Sequence, residues 1–380
     1  MARKVIQITD IFKGHMPSSM FGEEGQFLYS LGIDPDVPIT DGATDFKTGG
    51  IIRPVNYVAF NGAEITNYPI AIITTPKDEK VYVVLADGYL VSYDSSLANP
   101  IVIGQVSENE AGVAACGAAY YNNYIYITTP TDVAQYGPLD NSPTLVSEAW
   151  TDSGLGTQTA LTAATYPGSY LKHFCFTHVD NKLYIFDYAA GRGMVHCIKT
   201  TKTTDEGDTN DGSAYNLPEG NNFLPLNYLP MCGSSYGNDI VIGGSFTTSA
   251  TILQGGSALI FWDCTSPNFY RIVHLPDAIV SCLKYINGTL YGISGELTGG
   301  YRLWRYVGGD SVETLKMIDD GYPPMQYAID AIGNRVVWAT NTTTPVNTSG
   351  LMAYGSKSDL FPRGLHHIAM MPGTVQGGQS

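Results

Sequence analysis

The stretch that decides the fold is residues 119–127, Ala-Tyr-Tyr-Asn-Asn-Tyr-Ile-Tyr-Ile. Apolar and aromatic residues lie on both sides of Asn122-Asn123. Adjacent asparagines tolerate the positive φ angles that a tight type I′ turn requires, and such flanks favour strands. The stretch therefore predicts a β-hairpin.

The same pattern recurs along the chain. Clear copies are residues 176–185 and 284–292, and weaker copies are residues 75–83, 235–242 and 331–338. One marker residue in the second strand of each copy gives the register: Tyr82, Tyr126, Tyr184, Val241, Tyr291 and Val337. Successive markers are 44, 58, 57, 50 and 46 residues apart. Repeats of about 40 to 50 residues with several strands each are typical of propeller blades.

Further strands follow most of the hairpins. A third strand that closes on an aromatic residue is predicted at residues 90–94, 259–263 and 301–306, and a short fourth strand at residues 101–103 and 270–273. Four antiparallel strands make one blade. The sequence thus predicts an all-β chain folded as a β-propeller, with six blades favoured and seven as the alternative.

The repeats divide the chain into three parts. Residues 1–68 are predicted to form an irregular N-terminal arm, residues 69–372 the propeller, and residues 373–380 a flexible tail. The two longest spacings indicate insertions near residues 138–169 and 200–226.

The last repeat has no evident outer strand after residues 351–354. An open sheet edge invites aggregation, so we expect another segment to close the ring. Residues 55–60 are β-prone and are the expected donor. Residues 366–371 compete for the same place, or join the N-terminal strands in a seventh blade.

The cysteines follow the repeat. Cys175, Cys232 and Cys282 each precede their marker by nine residues, and Cys116 precedes its marker by ten. The corresponding residues in the other two repeats are Ile73 and Ala328. Cysteine is often buried and packs as a small apolar side chain. We therefore expect a shared packing position on the innermost strands, and we expect all six cysteines to be reduced and unpaired.

Charge bears on the partners. The chain has 20 basic and 35 acidic residues, a net charge of −15, and only 14% charged residues. Sequence-specific binding of nucleic acid needs Lys and Arg against phosphates, and no basic run is present. The first ten residues carry no apolar run of the kind a signal peptide has, and no stretch reaches the ~18 apolar residues of a membrane span. We expect a soluble protein made in the cytoplasm.

The sequence assigns no catalytic, cofactor-binding or metal residue. There is no His-Glu-x-x-His or P-loop motif. His173 and His178 point to opposite faces of one strand, and the pair Asp319-Asp320 is typical of a turn. Residues 205–212 hold oxygen ligands that would suit Ca²⁺, but their spacing departs from an EF-hand and favours a solvated loop.

Three short N-terminal motifs carry a family resemblance. They are residues 4–14, Lys-Val-Ile-Gln-Ile-Thr-Asp-Ile-Phe-Lys-Gly, residues 31–35, Leu-Gly-Ile-Asp-Pro, and residues 48–54, Thr-Gly-Gly-Ile-Ile-Arg-Pro. These motifs precede degenerate blades that are rich in Tyr and Gly. In this position they resemble the N-terminal arm of propeller-type virion structural proteins of tailed bacteriophages. The resemblance implies a structural role in the virion and carries over no functional residue.

Three functions follow as hypotheses. The first is a non-enzymatic structural component of a phage virion, in the tail or its adapter region, whose partners are other virion proteins and copies of itself. The second is a receptor- or glycan-binding module that uses its Tyr-rich loops and Trp150. The third is a hydrolase or lyase that acts on polysaccharide, for which carboxylates would have to converge at the axis.

Overall fold

The protein was analysed as a computed structural model. It describes residues 29–30, 33–38, 48–51, 69–85, 87–94, 99–106, 117–129, 133–150, 174–179, 182–189, 192–198, 214–215, 223–249, 252–266, 268–296, 299–318, 323–324, 326–332, 335–340, 350–354 and 365–370. Within this part of the chain, the only helical element is a 3₁₀ turn, Gln326–Ala328.

The strands, in chain order, begin with three from the arm and continue through the blades. The arm strands are β1 (Tyr29–Ser30), β2 (Ile33–Pro38) and β3 (Thr48–Ile51). The strands of the first half of the propeller are β4 (Pro69–Thr74), β5 (Val81–Leu85), β6 (Tyr89–Tyr93), β7 (Ile101–Gln105), β8 (Gly117–Tyr121), β9 (Tyr124–Thr128), β10 (Val133–Gly137), β11 (Thr144–Trp150), β12 (Phe174–His178), β13 (Lys182–Ala189), β14 (Arg192–Ile198), β15 (Ala214–Tyr215) and β16 (Phe223–Leu226). The strands of the second half are β17 (Tyr228–Tyr236), β18 (Asp239–Ser249), β19 (Ile252–Trp262), β20 (Arg271–Leu275), β21 (Ile279–Ile286), β22 (Thr289–Gly295), β23 (Tyr301–Gly308), β24 (Ser311–Ile318), β25 (Ile329–Ile332), β26 (Arg335–Thr340), β27 (Gly350–Tyr354) and β28 (Leu365–Met370).

Strands β4 to β28 form six consecutive antiparallel sheets, one for each repeat, and β2 and β3 form a seventh, two-stranded sheet. Blades 1 to 6 are β4–β7, β8–β11, β12–β16, β17–β20, β21–β24 and β25–β28. The chain is an all-β propeller, as predicted. In each blade the first strand is innermost and the chain meanders outward, so the predicted hairpins supply the two inner strands.

The hairpin turns have the predicted backbone. Asn122 and Asn123 have φ angles of 44° and 72°, and Asn287 and Gly288 have φ angles of 48° and 82°. Side chains of most residues disfavour this left-handed region, whereas Asn and Gly tolerate it. Turn chemistry in the sequence thus sets the register of the inner strands.

Five hydrophobic cores of the described residues lie between consecutive blades, and a sixth consists of residues of blade 1 alone. Tyr82 of blade 1 packs with Ile127 of blade 2, and Phe174 of blade 3 packs with Ile242 of blade 4. Other cores join blades 2 and 3, blades 4 and 5, and blades 5 and 6. Full burial of a large apolar side chain stabilises a fold by ~2–3 kcal/mol, so each blade depends on its neighbours.

The outer edge of blade 6 departs from the expected arrangement. The fourth strand of this blade is β28, in the segment that the sequence offers as the competitor for this place. The arm then adds a fifth strand, because β1 pairs parallel with β28 through Tyr29 and Leu365. The expected donor, residues 55–60, lies outside the described residues.

Both predicted insertions contain outer strands. Residues 144–150 form β11 and pair with β10, and the stretch 138–143 is the turn before it. In blade 3, β15 and β16 both pair with β14 and together form the outer edge. Short β-prone stretches in these regions carry no repeat signature, so spacing alone assigned them to insertions. The rest of both regions, with the acidic loop 205–212, lies outside the described residues.

The expected shared position of the cysteines holds for two of them. Cys232 pairs with Gly243 and Cys282 with Ile293, each two residues after its marker. Cys175 pairs with Ile185, one residue after its marker, because three residues rather than two separate the inner strands of blade 3 at the turn. A one-residue slip reverses the face of a side chain.

That reversal decides the packing of each thiol. Cys175 packs toward blade 2, whereas Cys232 and Cys282 pack toward the following blade. Ala328 belongs to the 3₁₀ turn instead of an inner strand, and Cys116 lies outside the described residues. Cys175, Cys232 and Cys282 therefore all pack in hydrophobic cores, but Cys175 does not occupy the same position in its blade as the other two.

The left-handed turn of blade 5 gives a first test. Gly288 has a φ angle of 82° and nothing near its Cα that an added Cβ would meet, so only backbone strain opposes substitution. We expect Gly288→Val to lower the free energy of unfolding by ~1–2 kcal/mol. Gly288→Asn is the control, since Asn tolerates this region, and denaturant unfolding measures both. Equal losses for the two variants would contradict the role of the φ angle.

Candidate functional site

Side chains of the 3₁₀ turn Gln326–Ala328 lie against the inner strands near the centre of the ring. The side-chain amide of Gln326 is 9% exposed and lies between the inner strands of blades 4 and 5. Its oxygen accepts hydrogen bonds from the backbone N–H groups of Gly233, at 3.3 Å, and Leu283, at 3.4 Å. Its nitrogen donates to the carbonyl oxygen of Gly233 at 2.6 Å. One amide therefore binds two blades.

The neighbouring tyrosine binds blade 3, which is next to blade 4. The Tyr327 hydroxyl accepts a hydrogen bond from the N–H of Cys175 at 3.0 Å and donates one to the carbonyl of the same residue at 2.9 Å. Its ring packs against the cores of blades 1–2 and blades 3–4. A Cβ at Gly117 of blade 2 would overlap the phenol, so that glycine admits the ring.

The 3₁₀ turn thus contacts the inner strands around the ring. The turn also lies against β4 of blade 1, and it leads directly into β25 of blade 6. Just before it, the carbonyl of Pro324 accepts a hydrogen bond from the Cys282 thiol at 2.9 Å. We call Pro324 and the 3₁₀ turn Gln326–Ala328 the axial plug. The Gln326 amide, the Tyr327 hydroxyl and the Pro324 carbonyl all form hydrogen bonds within the fold.

Two thiols border the axial plug. Cys232 and Cys282 are fully buried, and the Cys232 thiol donates to the carbonyl of Val280 at 3.4 Å. Burial raises the pKa of both thiols well above the ordinary value, and for Cys232 the nearby Cys282 raises it further. A thiol that stays protonated is a poor nucleophile and a poor metal ligand. These groups therefore act as packing side chains.

A buried ion pair fixes the connection between blades 4 and 5. Arg302 donates to both carboxylate oxygens of Asp277, and its Nη2 lies 2.7 Å from Oδ2. Asp277 also accepts a hydrogen bond from Ser294 at 2.6 Å, and the Ser294 hydroxyl accepts one from the Trp304 indole at 2.9 Å. Since both oxygens of Asp277 are engaged, this carboxylate is a structural group.

An aromatic patch lies where the inner turns of blades 4 and 5 meet. The Tyr236 ring makes edge contacts with Tyr285, Phe261 and Tyr306, with centroids 5.4 to 5.9 Å apart. Tyr270 borders the patch, is half-exposed, and donates its hydroxyl hydrogen to Asp239 at 2.7 Å. Arg271 donates to the Tyr306 hydroxyl at 2.7 Å. The patch combines exposed ring surface with polar groups.

The rim of the propeller carries exposed apolar side chains. They lie on the outer strands of five blades: Ile101 and Val102 on β7, Val146 on β11, Leu226 on β16, Ile272 on β20 and Met317 on β24. Scattered apolar side chains are normal on surfaces, whereas neighbouring ones indicate contact sites. Ile101 and Val102 follow each other on β7 and so point to opposite faces of blade 1.

The residues singled out in the sequence have mixed outcomes. His178 is buried, with its ring nitrogens 2.8 Å from the Ser235 hydroxyl and 2.9 Å from the Asn238 carbonyl, which gives it a structural place. His173, Asp319 and Asp320 lie outside the described residues, as does the side chain of Trp150. Sequence reasoning missed Gln326 and Tyr327, because a single turn outside the repeat has no periodic signal.

The described part of the chain has neither a metal-binding cluster nor a helix that could span a membrane. No three His, Cys, Asp or Glu side chains there come together as a metal site would require. No helix there has the length and apolarity to cross a membrane.

Comparison with known proteins bears on the fold. No family model and no curated protein matches the sequence. Solved structures similar to this chain include the Dos1 propeller, at 10% identity and TM-score 0.45, covering 79% of this chain and 70% of that one. The computationally designed Ika8 protein matches at 11% identity and TM-score 0.38, over 77% and 85% of the two chains. U3-55K matches at 10% identity and TM-score 0.42, over 73% and 74%. At these identities no function is carried over.

The axial plug predicts a large effect from one truncation. Gln326→Ala removes the amide that bonds to the backbone N–H and carbonyl of Gly233 and to the backbone N–H of Leu283. These buried backbone groups then lose their hydrogen bonds to the side chain. We expect the free energy of unfolding to fall by ~2–4 kcal/mol. Chemical denaturation measures it.

The control for this truncation is Gln105→Ala on the outer strand of blade 1. It removes one hydrogen bond, to the carbonyl of Asp87, and should cost under ~1.5 kcal/mol. A loss for Gln326→Ala no greater than that of Gln105→Ala would contradict the axial role.

The two buried thiols predict how stability depends on pH. Their pKa values are raised in the folded state, so their contribution is fully present below the unfolded thiol pKa of about 8.5 and is lost as the pH rises beyond it. We expect a double variant, Cys232→Ala with Cys282→Ala, to lose less stability than the parent chain between pH 7 and pH 9.5, as measured by urea unfolding. Val280→Ala is the control for lost volume and should keep the parent slope. A double variant with the parent slope would refute the assignment.

Proposed function

We propose that this chain is a non-enzymatic structural component of a phage virion, in the tail or its adapter region, and that it acts through protein–protein contacts. The observation that carries the proposal is which side chains are bonded within the fold and which apolar side chains are exposed to solvent. At the inner strands, the side chains of Gln326 and Tyr327 are engaged in hydrogen bonds to blades 3, 4 and 5. Exposed apolar side chains lie on the outer strands of five blades, and others lie at Ile72, Val179 and Val307.

The N-terminal arm supports the same proposal. Its motifs resemble those of propeller-type virion proteins, and its strand β1 extends blade 6. An arm of about 60 residues with little regular pattern gains order by lying on a surface, because alone it buries too little apolar area to offset its conformational entropy. The proposed partners are other virion proteins and copies of this chain, and the proposed location is the virion after synthesis in the host cytoplasm.

Low charge suits this role. Only 14% of the residues are charged, and the net charge is −15. Cores of protein interfaces are depleted of charged residues, and a negative surface does not bind DNA that passes by. The low fraction of charged residues and the negative net charge thus both support the proposed role in protein–protein contacts.

A direct test is the composition of purified particles. Quantitative mass spectrometry should find the protein in several copies per particle, at a fixed ratio to other virion proteins. A chain without residues 1–60 should fail to enter particles or lose solubility, because the arm is the proposed contact. A chain without residues 373–380 is the control and should enter normally. Absence of the parent chain from particles would contradict the proposal.

The second candidate is a receptor- or glycan-binding module, and the aromatic patch favours it. Sugars stack on exposed tyrosine rings, and Tyr270, Arg271 and Asp239 offer polar groups beside them. A glycan array should then give binding that Tyr270→Ala removes and Met317→Ala leaves intact, since Met317 is an exposed side chain elsewhere on the rim. Binding unaffected by Tyr270→Ala, or none, would exclude this patch as the glycan site.

A further inference from the structure

The outer strands of the six blades differ in how their open edges are protected. Natural proteins place charged residues or proline on such edges to prevent pairing with another chain. Four of the six outer edges follow this rule through one such residue or more: Glu148 on β11, Pro225 on β16, Arg271 on β20, and Glu313 and Lys316 on β24. The edges of β7 and β28 carry no Asp, Glu, Lys, Arg or Pro.

One of these two unprotected edges is covered. The arm strand β1 pairs with β28, so the chain itself adds a strand to this edge. Within the described part of the chain, β7 pairs only with β6 and its other edge carries no strand. Two side chains of β7 are exposed large hydrophobics: Ile101 at 58% and Val102 at 37%. An uncharged apolar edge is a template for strand addition.

The same chain presents a strand suited to that template. Among the described residues, β2 and β3 form a two-stranded sheet of their own, which lies against blade 6 through contacts of β2 with β28. A two-stranded sheet is marginal alone. β2 contains Pro35 and Pro38, which cannot donate to a ladder, so its free side is unsuited to pairing. β3 is Thr-Gly-Gly-Ile, without charge or proline. Glycine within a strand is typical of places where another backbone approaches closely.

We propose that β3 of one copy of this chain adds to the open edge of β7 in a second copy. Donor and acceptor lie on different parts of the chain, so the contact is head-to-tail and repeats from copy to copy until a ring closes. This inference rests on the proposed function, for which it names the partner and the contact. The charge-free edges allow the contact although each copy carries a net charge of −15, because no acidic side chains of β3 and β7 face each other.

The first experiment is cross-linking of the full chain. Thr48→Cys is made in one preparation and Ile101→Cys in another, and the two are mixed under mild oxidation. We expect a covalent dimer on a non-reducing gel only in the mixture. Absence of the dimer in the mixture overturns the proposal. So does a chain carrying both substitutions that closes an internal disulfide without forming dimers, because β3 would then pair within its own copy.

The second experiment is self-association of Ile101→Lys measured by mass photometry. A lysine on the edge should raise the concentration for half-assembly by about tenfold or more, a difference of ~1.4 kcal/mol. Met317→Lys is the control, since Met317 is equally exposed on β24, whose edge is already charged. The thermal midpoints of both variants should match the parent. Association unchanged by Ile101→Lys, or lowered equally by Met317→Lys, overturns the proposal.

The outcomes separate this inference from the proposed function. A chain that cross-links as expected but is absent from particles refutes the virion role and leaves the β3–β7 contact standing. A chain that is present in particles in many copies but gives no cross-link supports the virion role and refutes the contact.

Discussion

The hydrogen bonds of Gln326 and Tyr327 to the inner strands hold the centre of the ring, and the rest of the fold depends on them. Consecutive blades are joined by apolar cores that have no direction of their own. The hydrogen bonds of the axial plug are directional, and they join it to Gly233, Leu283 and Cys175 on the inner strands of three different blades. Directional bonds at the axis thereby set how far apart the inner strands stand.

The axial plug engages polar groups near the centre of the ring. Backbone groups of Gly233, Leu283 and Cys175 are bonded to its amide and phenol, and burial raises the pKa of the two thiols beside it. The proposed role in assembly draws instead on the exposed apolar side chains of the outer strands and on the arm.

Sequence reasoning reached the fold because hairpin turns leave a strong local signal. Asn122-Asn123 and Asn287-Gly288 adopt the φ angles that their chemistry favours, and the marker spacing then gives the blades. Cysteine spacing was less reliable, since one extra turn residue in blade 3 turned Cys175 to the other face. The axial plug had no such signal. Gln326 and Tyr327 act through contacts 93 and 152 residues away in sequence, and only the closed ring brings those partners together.

The most direct test of the central claim is cryo-electron microscopy of the native particle, because one map shows both the axis and the neighbours of each copy. The account predicts six-bladed rings in several symmetry-related copies, each with side-chain density for Gln326 and Tyr327 across its axis and with contacts through the rim and the arm. A map with an open axis that holds a bound ligand, or particles that contain no such ring, would contradict it.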